Sequence, residues 1–251
     1  MKNIVVSVVV MTLIAGAVVW NNLALNPPEA NYDPIDTAFL SPDWGAISAW
    51  PPEGGTDATL VQANPDPAQV TTLILLDDSG SMGGRMSAAK DAVTEAVTQF
   101  APDTRVGVVA LNAGLILPVT EAQEAARVLP AQLAPIEADG TTPLGARLAE
   151  AANILTEEAR RRRGFGVFRI LVTTDGDASD GDLMNAAVTQ ILSATPIELA
   201  TIGVGIGEGH ALNVPGYTNY VSVSSVNDLA GALQAAAAEQ TVFQPITSFG
   251  D

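Results

Sequence analysis

The sequence has 251 residues and a formal net charge of −17, from 11 basic and 28 acidic side chains. A chain of this length buries one full core rather than two large ones. Its negative charge repels phosphate backbones, and the absence of cysteine excludes disulfides, thiolate metal sites and cysteine nucleophiles. We therefore expect no nucleic-acid partner, and a partner that is either basic or held through a cation.

The first predicted element is an apolar segment at the N-terminus. Residues 4–20 carry no charge and are close to the lower length limit for a helix that spans a bilayer. Lys2 precedes this segment and the next basic residue is Arg85, which predicts a cytoplasmic N-terminus. A cleaved signal peptide with its site at 15–17 is the alternative. In the first interpretation, residues 1–22 are a single-pass anchor. Both interpretations place the rest of the chain on the periplasmic or extracytoplasmic side of the cytoplasmic membrane.

Residues 23–67 are predicted to form an extended linker. They are rich in proline and acidic residues, contain no Lys or Arg, and show neither a helical nor a strand period. Two interpretations of their aromatic side chains remain open: packing on the domain's own surface, or docking on a neighbouring protein. These side chains are Tyr32, Phe39, Trp44 and Trp50.

From residue 68 onwards, apolar strands alternate with amphipathic helices. The predicted strands are 70–76, 105–111, 114–118, 168–174, 197–204 and 219–223. The predicted helices are 85–100, 121–133, 143–162, 182–193 and 226–239. This alternation predicts an α/β fold, a doubly wound, mostly parallel six-stranded sheet with helices on both faces. The hinge at 112–114 predicts a hairpin that adds one antiparallel edge strand. The domain is expected to cover 68–242, and a tail of residues 243–251 follows.

Oxygen-bearing side chains follow two of the predicted strands where those strands end. Asp77, Ser79 and Ser81 come directly after the first strand, in the stretch LILLDDSGSMGGRM. Asp175 follows the strand in FRILVTTDG, and Thr142 precedes a helix in ADGTTPLGARL. Ligands of open doubly wound sheets bind at the carboxyl ends of the strands, where the strand order reverses. Two carboxylates and three hydroxyls form a hard, all-oxygen set that suits Mg²⁺.

These five site residues resemble the metal-ion-dependent adhesion site of the von Willebrand factor A family in their order and strand context. The resemblance covers about residues 68–242, including the stretch YVSVSSVNDLAGAL. It implies that Ser79, Ser81 and Thr142 ligate Mg²⁺, Mn²⁺ or Ca²⁺ together with the two aspartates, directly or through water. One coordination position is then left for an Asp or Glu of a partner protein. Thr141 stands where the family has glycine, so Thr141 is an alternative ligand to Thr142.

Further polar residues near the site allow more than one interpretation. Asp177, Asp180 and Asp182 are predicted to form an acidic rim beside the metal, for contact with the partner. Asp182 could instead cap the helix that follows it, and the two site serines could cap theirs. Arg160 to Arg163 are placed at a helix C-terminus, where cations favour the helix dipole, with a docking patch for an acidic partner as the alternative.

The function predicted from these residues is a membrane-anchored, Mg²⁺-dependent protein interaction module, an accessory subunit of a larger membrane assembly, and not an enzyme. A metal-dependent hydrolase is the alternative from another class, and a structural domain with a vestigial metal site is a third. A hydrolase requires a general base of suitable pKa. The chain has one histidine, His210, which we predict to be an exposed loop residue.

Overall fold

The structure, a computed structural model, describes residues 35, 37, 40–55 and 57–238. The predicted anchor at 4–20, the tail at 243–251 and the side chains of Tyr32 and Phe39 lie outside the described residues. Within the described ranges, no helix is both long enough and apolar enough to cross a membrane.

Six strands form one sheet, and their ranges are Val70–Leu76 (β1), Arg105–Ala110 (β2), Gly114–Glu121 (β3), Val167–Thr174 (β4), Glu198–Val204 (β5) and Asn219–Val223 (β6). The strand order is β3-β2-β1-β4-β5-β6. All neighbouring pairs are parallel except β2 and β3, which are antiparallel, so the predicted edge hairpin is confirmed. The order reverses between β1 and β4, which therefore flank the point where such sheets bind ligands.

Five long helices follow the predicted pattern, and one short helix does not. The six ranges are Trp44–Ser48 (α1), Met86–Thr98 (α2), Ala122–Leu133 (α3), Leu144–Arg161 (α4), Gly181–Ala194 (α5) and Leu229–Ala238 (α6). The last predicted helix begins as a 3₁₀ turn, Val226–Asp228, and continues as α6. The short helix α1 lies in the predicted extended linker and was not anticipated, because five residues are too few to show a period.

Strand β1 is the centre of the core and is buried on both faces. Leu73 and Leu75 belong to one apolar cluster, and Ile74 and Leu76 belong to the other. All four side chains are fully buried, and each burial stabilises the fold by about 2 kcal/mol. Helices α4 and α5 cover the first cluster, and α2, α3 and α6 cover the second. This two-sided cover explains the unbroken apolar run from Leu73 to Leu76 in the second half of β1.

The N-terminal segment, residues 40–55 and 57–62, packs on the domain. Leu40 is 2% exposed and belongs to the same cluster as Leu73. The Trp50 ring meets the Phe168 ring edge to face, with ring centroids 5.2 Å apart. Trp50 therefore packs on the domain's own surface, which is the first of the two interpretations given for the linker aromatics.

Candidate metal centre

The carboxylate of Asp77 joins the ends of β1 and β4. This side chain is 0% exposed. One carboxylate oxygen accepts the backbone N–H of Ser79 at 2.9 Å. The other accepts the Thr174 hydroxyl at 2.8 Å and the Asp175 N–H at 3.3 Å. Because buried carboxylates need hydrogen-bond partners, these three bonds fix both the orientation of Asp77 and the spacing of the two loops.

A chain of side-chain hydrogen bonds connects the two serines to Asp175. The Ser81 hydroxyl donates to Asp175 Oδ1 at 2.7 Å, and the two serine oxygens are 2.9 Å apart. Since Ser81 uses its one proton on Asp175, Ser79 is the donor to Ser81. Neither serine caps a helix: Ser79 makes no capping hydrogen bond, and the N-cap residue of α2 is Arg85. The capping alternative is therefore wrong for both serines.

The loop that carries Thr142 lies between the loops after β1 and β4. The Gly80 N–H donates to the Gly140 carbonyl at 3.2 Å, and the Ser179 N–H donates to the Thr142 carbonyl at 2.8 Å. Gly140 has φ +79°, and a Cβ there would lie 2.5 Å from Asn112 Oδ1, so glycine is required. These bonds engage the backbone of Thr142 and leave its hydroxyl available to a ligand.

Asp78 organises the site, although the sequence analysis did not select it. It is 1% exposed, and its carboxylate accepts the backbone N–H groups of Asn112 at 2.7 Å and Ala113 at 3.0 Å. The Asn112 side chain in turn donates to the Thr141 carbonyl at 2.8 Å. Asp78 therefore ties the end of β1 to the β2–β3 turn and, through Asn112, to the threonine loop. The doubled aspartate in LLDDSGS was the available signal.

Arg85 forms an ion pair with the site that the sequence analysis also missed. Its guanidinium donates to Asp175 Oδ2 and, at 3.1 Å, to the Ser81 carbonyl. The Asp175 side chain is 0% exposed beneath these contacts, whereas the Arg85 side chain is 38% exposed. No local pattern indicates this pair, because the two residues are 90 positions apart.

The three residues of the predicted acidic rim have different environments. Asp177 and Asp182 are exposed. The carboxylate of Asp180 accepts the backbone N–H groups of Gly145 and Ala146, each at 2.9 Å, and so caps the start of α4. Asp180, not Asp182, is also the N-cap residue of α5, so the capping interpretation of Asp182 is wrong.

His210 is buried, and the prediction of an exposed loop residue is wrong. It is 7% exposed because its loop folds against the loop that follows β4. Nδ1 accepts the Leu212 N–H at 3.1 Å, which assigns the proton to Nε2, 3.1 Å from the Gly176 carbonyl. Burial lowers the pKa of His210 and raises the pKa of Tyr220, which stacks on it, to about 12. Both histidine nitrogens are thus engaged in holding the loop beside Asp175.

The donor set fits a hard divalent cation. Four of the five predicted residues lie in one hydrogen-bonded group, and the threonine loop is fixed beside them. All the donors are oxygen, as Mg²⁺, Mn²⁺ and Ca²⁺ prefer. In the described part of the chain, no three His, Asp or Glu side chains cluster as metal ligands, so a site here depends on hydroxyl oxygens as well as carboxylates.

Two cavities of the domain lie away from this group. The larger, about 900 Å³, is lined by α4, α5 and the N-terminal segment. The smaller, about 370 Å³, is lined by β1, α6 and the residues after α2. Neither lining includes a site residue. Ser81 is exposed, so the site opens directly at the molecular surface.

Solved structures of similar fold include proteins of several kinds. A von Willebrand factor type A protein from Catenulispora acidiphila has a TM-score of 0.56 and 20% identity over 68% of this chain and 42% of its own. The pilus adhesin SpaC of Lactobacillus rhamnosus GG has a TM-score of 0.51 and 14% identity over 71% of this chain and 30% of its own. Manganese-loaded TRAP protein of Plasmodium vivax has a TM-score of 0.51 and 17% identity over 68% of this chain and 74% of its own. At such identities the likeness shows the fold alone, and the chain spans less than half of the first two structures.

The family assignment rests on the sequence of the domain. No curated protein matches the chain. The profile of the von Willebrand factor type A domain matches residues 73–236, from the second half of β1 into α6, which is more than half of the chain. The order of the strands, with its antiparallel edge strand, agrees with that match. The chain therefore belongs to the von Willebrand factor type A domain family.

Proposed function

We propose that this protein is a membrane-anchored interaction module that binds a carboxylate of a partner protein through a divalent cation, Mg²⁺ in the first place and Mn²⁺ or Ca²⁺ as alternatives. The observation that carries the proposal is the hydrogen-bonded group at the carboxyl ends of β1 and β4. The names of two proteins of the same fold, a pilus adhesin and a manganese-loaded protein, are consistent with this proposal. The residues proposed to hold the cation are Asp77, Ser79, Ser81, Thr142 and Asp175.

Each part of the site has a defined task in this proposal. The hydroxyls of Ser79, Ser81 and Thr142 supply neutral oxygen ligands, and the two aspartates supply charge, directly or through water. The bound cation supplies a positive charge and one open position for a carboxylate oxygen. Asp177 and Asp182 repel an approaching carboxylate when no cation is bound, because like charges oppose each other at short range. Binding of the partner then depends on the cation.

Hydrolysis is the weaker proposal for this site. The one histidine of the chain engages both of its ring nitrogens in hydrogen bonds, so it is not a free general base. The site is also at the surface instead of lining either of the two cavities described above. A binding surface that accepts one protruding acidic side chain matches these features better than a substrate pocket does.

The membrane anchor at residues 4–20 and the extracytoplasmic location are the second part of the proposal. Their support is the charge asymmetry around the apolar run, with Lys2 before it and no base after it until Arg85. The N-terminal segment contacts Phe168 at the amino end of β4, whereas the site lies at the carboxyl end.

The test of cation binding is Asp77→Asn. The amide keeps the shape and still accepts the Ser79 N–H, and the Thr174 hydroxyl retains the Gly176 carbonyl as an acceptor at 3.0 Å. The Asp175 N–H loses its acceptor, so circular dichroism checks that the fold is kept. Calorimetry with Mn²⁺ on the full-length chain in detergent is expected to show one site in the wild type. The variant should bind at least about tenfold more weakly, since a ligand charge is lost. Capture of the partner from membranes should require Mg²⁺, fail in EDTA and fail with the variant.

The matched control is Asp103→Asn, the same change at an exposed residue before β2. Asp103 lies at the amino ends of the strands, away from the site. It should bind Mn²⁺ and capture the partner as the wild type does. Equal Mn²⁺ affinity in all three proteins would contradict the metal site, and capture that persists in EDTA would contradict a cation-mediated interface.

A further inference from the structure

The position of Arg85 at the site is the starting observation. Its guanidinium is bonded to Asp175 Oδ2, which places a cation beside the proposed metal position. Gly205 lies on the other side, where a Cβ would come within 3.7 Å of Arg85 Nη1. Arg147, another basic side chain near this end of the sheet, has different partners, the Leu111 carbonyl and Glu150.

Binding of a divalent cation changes the charge balance of the site. The carboxylates of Asp77, Asp78 and Asp175 contribute three negative charges, and a divalent cation cancels two of them. Arg85 cancels the third, and no other residue of the site group is cationic. A single carboxylate from a partner then adds one negative charge to a neutral site. Without Arg85, the same carboxylate would approach a site that is already negative.

The oxygens of Asp175 are shared by two potential cations. Oδ1 accepts the Ser81 hydroxyl and Oδ2 accepts Arg85, so each oxygen already has one donor. A divalent cation that takes Asp175, directly or through water, places a second positive charge beside the guanidinium and weakens its contact by repulsion. Arg85 is able to move, because its side chain is 38% exposed and held at its tip by Asp175 and the Ser81 carbonyl.

We propose that Arg85 competes with the divalent cation for Asp175 and, once released, binds the second oxygen of the partner's carboxylate. This inference rests on the proposed function. The acidic side chain of the partner is then recognised at two points, one oxygen on the cation and one on the guanidinium, whose planar fork of donors suits carboxylates. In the cation-free protein the same arginine neutralises Asp175, so the buried carboxylate is never left uncompensated.

The experiment compares Arg85→Gln and Arg85→Lys with the wild-type full-length chain, using Mn²⁺ alone as the first probe. Removing a positive charge within a few ångströms of the cation should tighten Mn²⁺ binding by about tenfold in Arg85→Gln. Arg85→Lys restores the charge and should bind Mn²⁺ within about threefold of the wild type, since ammonium and guanidinium carry the same charge. Both affinities are measured by calorimetry, and circular dichroism checks the fold.

Acetate is the second probe, added at saturating Mn²⁺ and followed by water-proton relaxation, which falls when a carboxylate displaces water from Mn²⁺. Arg85→Gln should need about tenfold more acetate than the wild type, because one of the two carboxylate contacts is lost. The matched control is Arg127→Gln, which removes the same charge from an exposed pair with Glu124 on α3 and should change neither midpoint.

The outcomes separate this inference from the proposed function. Unchanged Mn²⁺ affinity in Arg85→Gln overturns the competition for Asp175. An unchanged acetate midpoint overturns the recognition role. In both cases the proposed metal site stands, because the wild type still binds Mn²⁺. Failure of the wild type to bind Mn²⁺ at all overturns the proposed function itself.

Discussion

The histidine that supports the site illustrates how a single residue couples the loops after β4 and β5. His210 donates to the Gly176 carbonyl, next to Asp175, and accepts from the Leu212 N–H. Its ring also stacks on Tyr220, with centroids 6.1 Å apart. The neutral side chain thus has a hydrogen-bond partner at each ring nitrogen and a structural role. Its protonation should destabilise the fold and not contribute to catalysis.

The stability of the protein should depend on the protonation of His210. Burial lowers its pKa below the ordinary value of 6.5, so the unfolded chain binds the proton more readily than the folded chain. The contribution is therefore fully present above pH 6.5 and is lost as the pH falls through the lowered pKa. Urea unfolding from pH 5 to pH 8 is expected to show this loss in the wild type relative to His210→Gln, which keeps a donor and an acceptor but does not titrate.

The comparison removes the contribution of the carboxylates, because both proteins have the same set. The difference in the free energy of unfolding between them should be constant above pH 6.5 and should fall below it. A difference that does not vary with pH would show that His210 has the same pKa in the folded and unfolded chains.

Among the elements, α4 and α5 depend on each other at the end nearest the site. Gly145, in the first turn of α4, comes so close to α5 that a Cβ would lie 2.3 Å from the Met184 nitrogen. The first N–H groups of α4 are capped by Asp180, which precedes α5, since the N-cap residue Pro143 has no capping side chain. The cap of one helix is therefore supplied by the chain leading into its neighbour.

Asp180→Ala should lower the free energy of unfolding by about 1–2 kcal/mol, because two N–H groups at the positive end of α4 lose their acceptor. Denaturant titration measures the change. The matched control is Asp182→Ala, two residues away and exposed, with an expected effect within about 0.5 kcal/mol. Equal effects of the two substitutions would contradict the assignment of Asp180 as the cap.

Across the whole molecule, the site and the N-terminal segment occupy opposite ends of the sheet. The Gln62 N–H donates to the Arg161 carbonyl at the C-terminus of α4, and Arg160 Nε donates to the Pro52 carbonyl at 2.7 Å. Arg162 is 1% exposed and bonds Thr71 and two backbone carbonyls. Most of the run from Arg160 to Arg163 is therefore engaged in contacts within the chain. These contacts favour a role in holding the N-terminal segment and not a role as a docking patch for an acidic partner.

The proposed topology is tested by cysteine labelling, since the chain has no cysteine of its own. Gln132→Cys places a thiol on the exposed face of α3. In intact spheroplasts a membrane-impermeant maleimide should label it, because the domain is proposed to lie outside the cytoplasmic membrane. The matched control is Asn3→Cys, before the apolar run, which should be labelled only after lysis. The reverse pattern would contradict the orientation.

Local sequence was sufficient for the strands and the long helices, and for the expectation that four of the candidate residues lie close together. Strand β6 was predicted with its observed limits, 219–223, and β1 with its limits, 70–76, because turn residues follow each of these segments. β3 runs three residues beyond the predicted 114–118, since pairing of Glu121 with Arg105 extends it. Asp77, Ser79, Ser81 and Asp175 were expected to lie close together, as they do, because polar residues that follow parallel strands meet at the same end of the sheet.

Only the tertiary structure decided which partners these side chains have. Arg85 meets Asp175 across 90 positions, Asp180 caps α4 across 35, and His210 reaches Gly176 across 34. Hydrophobic period and turn chemistry act over a few neighbouring residues and therefore determine where strands, helices and loops occur. The distances between loops depend instead on the strand order and on how closely the helices pack. The sequence by itself determined the residue types at the site, and the packed sheet decided that an arginine shares the carboxylate proposed to hold the cation.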